Sequence, residues 1–414
     1  MDYDVIVVGG GASGLMAACT AAKRGRRVLL LEKMDQAGRK LRITGKGRCN
    51  LTNTNTLRDT LPHIGSDARF LRNAYGRFFN RELMEWFEQR GVELVVERGN
   101  RVYPASGKAL DVFLALINEL ESNANVTIRK NTTVKSIETY ENQATAVILE
   151  RGERISCRHI VLATGGLSYP TTGSTGAGYR MARELGHTVV DPVPSLVALK
   201  CEEKISDEMV AFQLKNVQLS IFDTSSNTLI FKSGIGEMTF CDDGLAGPIV
   251  LSTSRIVTRA LHVGETLIAS LDLKPGLTPE QLDKRLQADL AANGTRVFND
   301  ALRLWLPAEL IPFALKQLHI EYYKRLNQIN GDERRRLCRW LKGVPFTLIG
   351  THDWNEAIVT QGGVALNEVN PKTMESRLIN GLYIVGELLD LDADTGGYNL
   401  QIAFSTGHAA GEAV

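Results

Sequence analysis

The sequence has no long hydrophobic run: nowhere in its 414 residues do the roughly 18 consecutive apolar residues of a membrane-spanning helix occur. Its first apolar stretch is broken by glycines from residue 9 onward, with no basic segment before it, so no secretory leader is read there. A cytoplasmic location is the expectation. Charge of one sign is also missing, because 48 Lys+Arg stand against 47 Asp+Glu; such a balance does not mark an obligate polyanion binder. Cysteine is sparse and scattered. Cys19, Cys49, Cys157, Cys201, Cys241 and Cys338 all lie more than five residues apart, which excludes a C-x-x-C redox pair, a zinc ribbon and a thiolate cluster. The seven histidines are equally dispersed and show no H-E-x-x-H spacing, so no metal site is expected. Any redox chemistry must then come from a bound organic cofactor. With 43% hydrophobic and 23% charged residues, the composition is that of a globular chain and excludes the disordered and collagen classes. The length predicts two or three domains.

What is present begins at residue 5. Val5-Ile6-Val7-Val8 reads as a buried parallel strand. It enters Gly9-Gly10-Gly11-Ala12-Ser13-Gly14, a G-x-G-x-x-G turn. Helix formers follow through residues 15–24 and stop at Gly25, and a second strand, Val28–Leu31, closes on Glu32. Gly9 permits the tight turn, Gly11 lets backbone approach a pyrophosphate, and Gly14 allows close helix–strand packing. The helix N-terminus then offers free N–H groups to phosphate. Glu32 is placed to accept both hydroxyls of an adenosine ribose and disfavours a 2′-phosphate. These pieces in this order predict a Rossmann-type α/β dinucleotide site for FAD or NAD, not NADP.

Residues 38–53, GRKLRITGKGRCNLTN, place Gly38, Gly45 and Gly47 among Arg39, Lys40, Arg42, Lys46 and Arg48. Between residues 21 and 50 there are ten Lys/Arg and two Asp/Glu, a local net of +8 in a chain of net +1. A pyrophosphate carries about two negative charges, so the excess goes beyond one dinucleotide. The glycines suit backbone amides brought against a planar ring or a phosphate. Further on, residues 159–166 read as a buried strand running into glycines, and 381–387 repeat that design up to Gly386-Glu387. After Gly396-Gly397, Tyr398 to Ala410 reads as a helix whose N-terminal dipole would favour an anionic reduced flavin.

Four stretches give the sequence a resemblance to the HI0933-like (BaiN-like) FAD-dependent oxidoreductases: the glycine turn, the block from Gly38 to Asn53, Ala163 to Gly176, and the C-terminal segment. That last segment runs from Thr360-Gln361-Gly362-Gly363 through Thr373-Met374-Glu375-Ser376 to Gly386-Glu387 and Gly396-Gly397-Tyr398-Asn399. The resemblance implies FAD with its adenosine on Gly9–Glu32. It also implies that the cofactor is lined by Lys33, Arg39, Lys40, Thr44, Cys49, Asn50, Val134, Thr164, Gly165 and Gly166, with the ring among residues 40–50, 386–387 and 396–401. One departure is visible. Where family members often carry T-H-x-G-L-S-G-P, this chain has Cys241-Asp242-Asp243-Gly244-Leu245-Ala246-Gly247-Pro248. An acid replaces the histidine, and no catalytic role is expected there.

The cofactor domain is expected to be discontinuous, residues 1–193 with 352–414. Inserted between is an antiparallel β domain, barrel-like, from 194–277 with 343–351. That domain carries a helical subdomain over 278–342. No second G-x-G-x-x-G exists, so NAD(P)H as electron donor would dock transiently. The resemblance points to reduction of a conjugated C=C bond, in a small enone or in uracil within ribosomal RNA. In such a step a protein acid protonates the α carbon, and a cation or amide stabilises the carbonyl oxygen. Cys49 and Tyr398 are the candidate acids; Arg48 and Lys46 are the candidate cations. Cys49 reads equally well as a small buried side chain, and Tyr398 as a pocket wall. An RNA substrate would suit the basic residues Lys324, Arg325, Arg334, Arg335, Arg336, Arg339 and Lys342, with Tyr322, Tyr323 and Trp340 for stacking; a solvated helical face is the plainer reading. A non-enzymatic FAD redox sensor and a peroxide-forming oxidase are the other classes the sequence allows.

Overall fold

The computed structural model describes residues 1–65 and 67–414. Its contacts divide the chain into two units, Met1–Pro194 with Trp354–Val414, and Ser195–Asp353.

The first unit is built on a parallel sheet. Its strands run in the order Val126–Arg129, Val28–Leu31, Tyr3–Val8, Arg154–Leu162 and Leu382–Ile384. Val5 pairs with Val28, Val8 with Leu162, and Ile160 with Leu382. The central strands are apolar throughout because both faces are covered, and Val5, Ile6, Val7, Leu29 and Leu30 are fully buried. Two further strands, Val134–Tyr140 and Gln143–Leu149, extend the sheet antiparallel from Arg154–Leu162.

The helix Ala12–Lys23 follows the glycine turn and is buried from Ser13 to Ala22. The terminal helix Tyr398–Ala413 lies against it so closely that a Cβ at Gly407 would stand 2.2 Å from the Ser13 carbonyl oxygen. Only a small-residue face permits that approach. A small antiparallel sheet, Leu94–Glu97, Arg101–Pro104 and Thr52–Asn53, completes this unit.

In the second unit six antiparallel strands close on themselves. The ring passes through Gln213–Asp223, Gly236–Cys241, Gly244–Ala246, Leu199–Cys201, Val344–Thr351 and Leu267–Asp272, and returns to Gln213–Asp223. Thr228–Lys232 pairs outside the ring. The inserted region, expected as an antiparallel β domain over 194–277 with 343–351, also holds a 15-residue helix, Pro248–His262. Its amphipathic repeat buries Val250, Val257 and Ala260. Helices Pro279–Ala292 and Gly331–Lys342 start at capping boxes on Thr278 and Asn330. Leu286, Phe298 and Leu337 from this helical stretch share one apolar cluster with Leu219, Phe240 and Phe346 of the strands. No helix among the described residues is long and apolar enough to cross a membrane.

Candidate functional site

Four neighbouring parallel strands end at residues singled out in the sequence. Tyr3–Val8 ends at Gly9, Val28–Leu31 at Glu32, Arg154–Leu162 at Ala163-Thr164-Gly165, and Leu382–Ile384 at Val385-Gly386-Glu387. The carboxyl edge of a parallel sheet is where such folds place ligands. Gly9 has φ +107°, and a Cβ on Gly14 would lie 1.9 Å from the Gly9 carbonyl oxygen, so the turn and the helix behind it tolerate no side chain there. The missing Cβ of Gly11 faces nothing within 4 Å. No side chain caps the helix that Gly11 opens, and no acid stands in its first turn. The first-turn N–H groups of Ala12 and Ser13 are therefore left for an anion.

Glu32 is buried and accepts from the Gly10 N–H and the Met34 N–H, both at 2.8 Å. It braces the turn, and each oxygen keeps a further lone pair for a ligand hydroxyl. Lys33 donates to Thr175 Oγ1 at 2.7 Å, and burial lowers its pKa. The Thr132 N–H donates to the Glu32 carbonyl, which brings the chain leading to buried Val134 alongside the same edge.

A half-buried ion pair sits beside this turn. Lys40 Nζ lies 2.9 Å from Glu387 Oε2 and 3.0 Å from Ser168 Oγ. Glu387 Oε1 accepts from Ser168 Oγ at 2.7 Å and from the Thr360 N–H at 2.8 Å. Burial pushes the Glu387 pKa up, but the Lys40 charge and these donors outweigh it and hold the carboxyl below its usual range. Thr360 Oγ1 in turn accepts from the Leu167 and Ser168 N–H groups. Four stretches, around residues 40, 167, 360 and 387, thus converge on one carboxylate. Ser168 and Thr360 were not picked out individually from the sequence, although both lie in stretches that carry the family resemblance.

The loop after Lys40 is tightly coiled. Gly45, Lys46, Gly47 and Cys49 all have positive φ, +57°, +58°, +84° and +59°, a concentration that marks functional backbone. Thr44 Oγ1 donates to Leu41 O, and the Cys49 N–H donates to Thr44 O. Asn50 donates to Thr52 O and accepts from the Gly397 N–H, each at 3.0 Å, joining the loop to the start of the terminal helix. At that start Tyr398 stacks on His63 with ring centroids 4.6 Å apart. The Tyr398 hydroxyl accepts from Asn55 Nδ2 at 2.8 Å, and burial raises the pKa of the phenol. His63 Nδ1 lies 2.9 Å from Asp394 Oδ2. Asn399 laces the preceding loop through Ala393 N, Ala393 O and Asp394 O. Asn55, His63 and Asp394 were missed from sequence; for Asn55 the N-x-N spacing after Asn53 is the available signal.

Other expectations fare differently. Arg48 does not face this cluster: it pairs with Glu97 and lies 4.4 Å over the Tyr103 ring, so its charge is already used on the small sheet. Cys49 is fully buried, and burial pushes its thiol up to about 12. Such a thiol packs inside the loop and stays protonated. Arg39, 3.9 Å from Asp35, lines an outward cavity of about 450 Å³ with Arg42, Gly47 and Lys108. Thr164 Oγ1 is buried without a hydrogen-bond partner, and a Cβ on Gly166 would meet Thr360 Oγ1 at 2.3 Å.

The basic stretch toward residue 342 is partly paired. Lys324 pairs with Glu333, Arg334 with Asp283, Arg335 with Asp332 and Lys342 with Asp272. Arg336 donates to the Leu318 and His319 carbonyls. Trp340, expected as a stacking surface, is buried and donates to Gln317. Its alternation with charged neighbours looked like a solvated face, whereas the helix turns it into the apolar core.

Comparison with known proteins agrees with this architecture. The family model of the HI0933-like protein Rossmann domain matches residues 3–413. A 3-dehydro-bile acid delta(4,6)-reductase of Clostridium scindens is 32% identical over 409 residues, 98% of each chain. A ribosomal RNA dihydrouridine synthase of Escherichia coli is 29% identical over 410 residues, 99% of this chain and 97% of the relative. Among solved structures, a 3-ketosteroid delta1-dehydrogenase from Sterolibacterium denitrificans shares the fold with a TM-score of 0.50 at 14% identity, covering 99% of this chain and 98% of that one.

Proposed function

The chain belongs to the HI0933-like family and is an FAD-dependent oxidoreductase, and we propose that it is a cytoplasmic reductase acting on an activated C=C bond of a small conjugated carbonyl compound, with NAD(P)H as the transient donor. The bile-acid reductase relative supports the substrate class. The observation that carries the choice of a small substrate over RNA is the pairing of Lys324, Arg334, Arg335 and Lys342 with carboxylates in the stretch 324–342. Lys324, Arg334, Arg335 and Lys342 are held by carboxylates and Arg336 by carbonyls of the same unit, and phosphate would compete with those contacts.

The residues present fit FAD. The open space at Gly11, the uncapped helix N-terminus and the braced Glu32 form a cradle that a Cβ would fill. Bound FAD supplies hydride exchange with substrate and donor. Gly9 to Gly14 and the first-turn amides would hold its diphosphate, and Glu32 would take the ribose hydroxyls. Lys33, Gly38 and Val134 flank that end. Lys40, fixed by Glu387, keeps a positive charge among the glycines of residues 165–166 and 386. Asn50, Gly396, Gly397 and Asn399 shape the remaining wall.

Tyr398 is the proton donor in this reading. Asn55 donates to the Tyr398 Oη, so the phenol's own proton is free to point elsewhere. Burial keeps the group protonated through neutral pH, and it delivers that proton to the carbon next to the carbonyl. Cys49 is left as packing under the loop.

The test is anaerobic. Holoprotein is reduced with NADH or NADPH and mixed with a steroid-like enone or, separately, with unmodified ribosomal RNA, while flavin absorption is followed. Reoxidation by the enone and not by RNA is expected. Reoxidation by RNA alone would replace this reading with uridine reduction. A flavin that neither donor reduces would point to a redox sensor.

A further inference from the structure

Away from the parallel sheet, and among the described residues, the dispersed cysteines and histidines meet at Cys241 and His352. Cys241 ends the strand Gly236–Cys241, and Asp242-Asp243 form the two-residue turn before Gly244, which pairs back with Cys241. On the neighbouring strand Lys200 pairs with both Gly244 and Gly350. His352 follows the strand Val344–Thr351, and its N–H donates to Ala198 O at 3.0 Å. Adjacent strands of one closed barrel therefore fix the backbone of all three residues, and scaffold strands hold ligand sets more exactly than loops do.

The side chains converge. His352 Nε2 lies 2.7 Å from Asp243 Oδ1 and 3.8 Å from Cys241 Sγ, and Cys241 Sγ lies 3.8 Å from Asp243 Oδ1. One nitrogen, one sulfur and one oxygen face a common point. A tetrahedral ion with Zn–S of about 2.3 Å and Zn–N or Zn–O of about 2.0–2.2 Å spaces such atoms by roughly 3.3–3.6 Å, so small side-chain rotations bring all three into range. Lys200 Nζ is 3.3 Å from the other carboxylate oxygen, Oδ2, and orients Asp243 from the outer shell, as ligating carboxylates require.

We propose that Cys241, Asp243 and His352 form a site for a borderline-soft divalent cation such as zinc, with three protein ligands and a fourth position open to solvent. The ligand set selects the ion, because thiolate with imidazole favours zinc and its neighbours over magnesium or calcium. On binding, the metal–sulfur bond replaces the S–H bond, and the thiol proton passes to solvent. Asp243 is half exposed while His352 is mostly covered, which leaves the ion an entry path and an open coordination position. The proposal is independent of the flavin and its substrate. It also gives a use to the stretch where an acid replaces the family's histidine.

The experiment uses the full-length flavin-loaded protein, stripped with a chelator and dialysed against zinc, with metal per chain measured by mass spectrometry. Cobalt is then added, and the difference spectrum against metal-free holoprotein cancels the flavin. One zinc per chain and a thiolate-to-cobalt charge-transfer band are expected. Cys241→Ser and His352→Ala should each weaken retention by about 100-fold or more, with flavin content unchanged. Wild type that holds no more zinc than the Cys241→Ser/His352→Ala double variant would overturn the site. So would cobalt bound without the thiolate band, a readout that does not depend on any variant folding.

Discussion

Two cation-rich stretches of this chain put their charges to different uses. In the loop from Gly38 to Asn50, Lys40 is drawn inside against Glu387 while the backbone around it coils through positive φ at Gly45, Lys46, Gly47 and Cys49. In the helix Gly331–Lys342 the cations lie on a regular surface, where Arg334, Arg335 and Lys342 pair with Asp283, Asp332 and Asp272. The first arrangement is costly without a ligand or a purpose, whereas the second is ordinary surface electrostatics. Local charge excess alone does not mark a site; the first stretch also combines positive-φ backbone with a half-buried ion pair.

The sharpest way to break the comparison is Tyr398→Phe, at the wall that the coiled loop helps to build. Enone turnover should fall by about 10²–10⁴-fold with flavin content unchanged; unchanged turnover would return Tyr398 to a wall. Glu387→Gln comes next. It leaves the half-buried Lys40 without its ionic partner and should lower stability by about 1–3 kcal/mol in denaturant unfolding. Because the folded carboxyl is held below its usual range, its contribution is present above the ordinary carboxylate pKa and is lost as pH falls through the folded value. A stability-against-pH curve should therefore lose that acid-side slope in Glu387→Gln. Gly14→Ala should cost about 1–3 kcal/mol through overpacking against the Gly9 carbonyl and release flavin on gel filtration. The smallest effect belongs to the basic helix: Arg335→Gln should change stability by about 1 kcal/mol or less and leave salt-dependent RNA retention on filters unmoved.

Much of the first unit was legible because its information is local. Val5–Val8, the glycine turn, the helix after it and Val28–Leu31 follow one another within thirty residues and appear as read, the helix spanning Ala12–Lys23. The terminal helix from Tyr398 also appears, extended to Ala413. What escaped is long-range. Lys40 and Glu387 are 347 positions apart, and no periodicity couples them to Ser168 or Thr360. Arg48 was readable as a cation but not its partner Glu97, since strand pairing across Thr52–Asn53 and Arg101–Pro104 decides where the side chain turns. Trp340 shows the converse failure: surrounded in sequence by charges, it faces the core because helical period places Leu337 and Leu341 on the same side. The meeting of Cys241, Asp243 and His352 likewise depends on barrel closure, which spacing along the chain does not reveal.

The central claim is that the carboxyl edge of the parallel sheet holds FAD through the turn at Gly9–Gly14. Its most direct test is the flavin content of purified wild type beside Gly14→Ala, read from visible flavin absorption after reconstitution with FAD and desalting. The account predicts one FAD per wild-type chain and little or none on the variant. Wild type that stays colourless, or a folded variant that retains flavin as tightly as wild type, would contradict it.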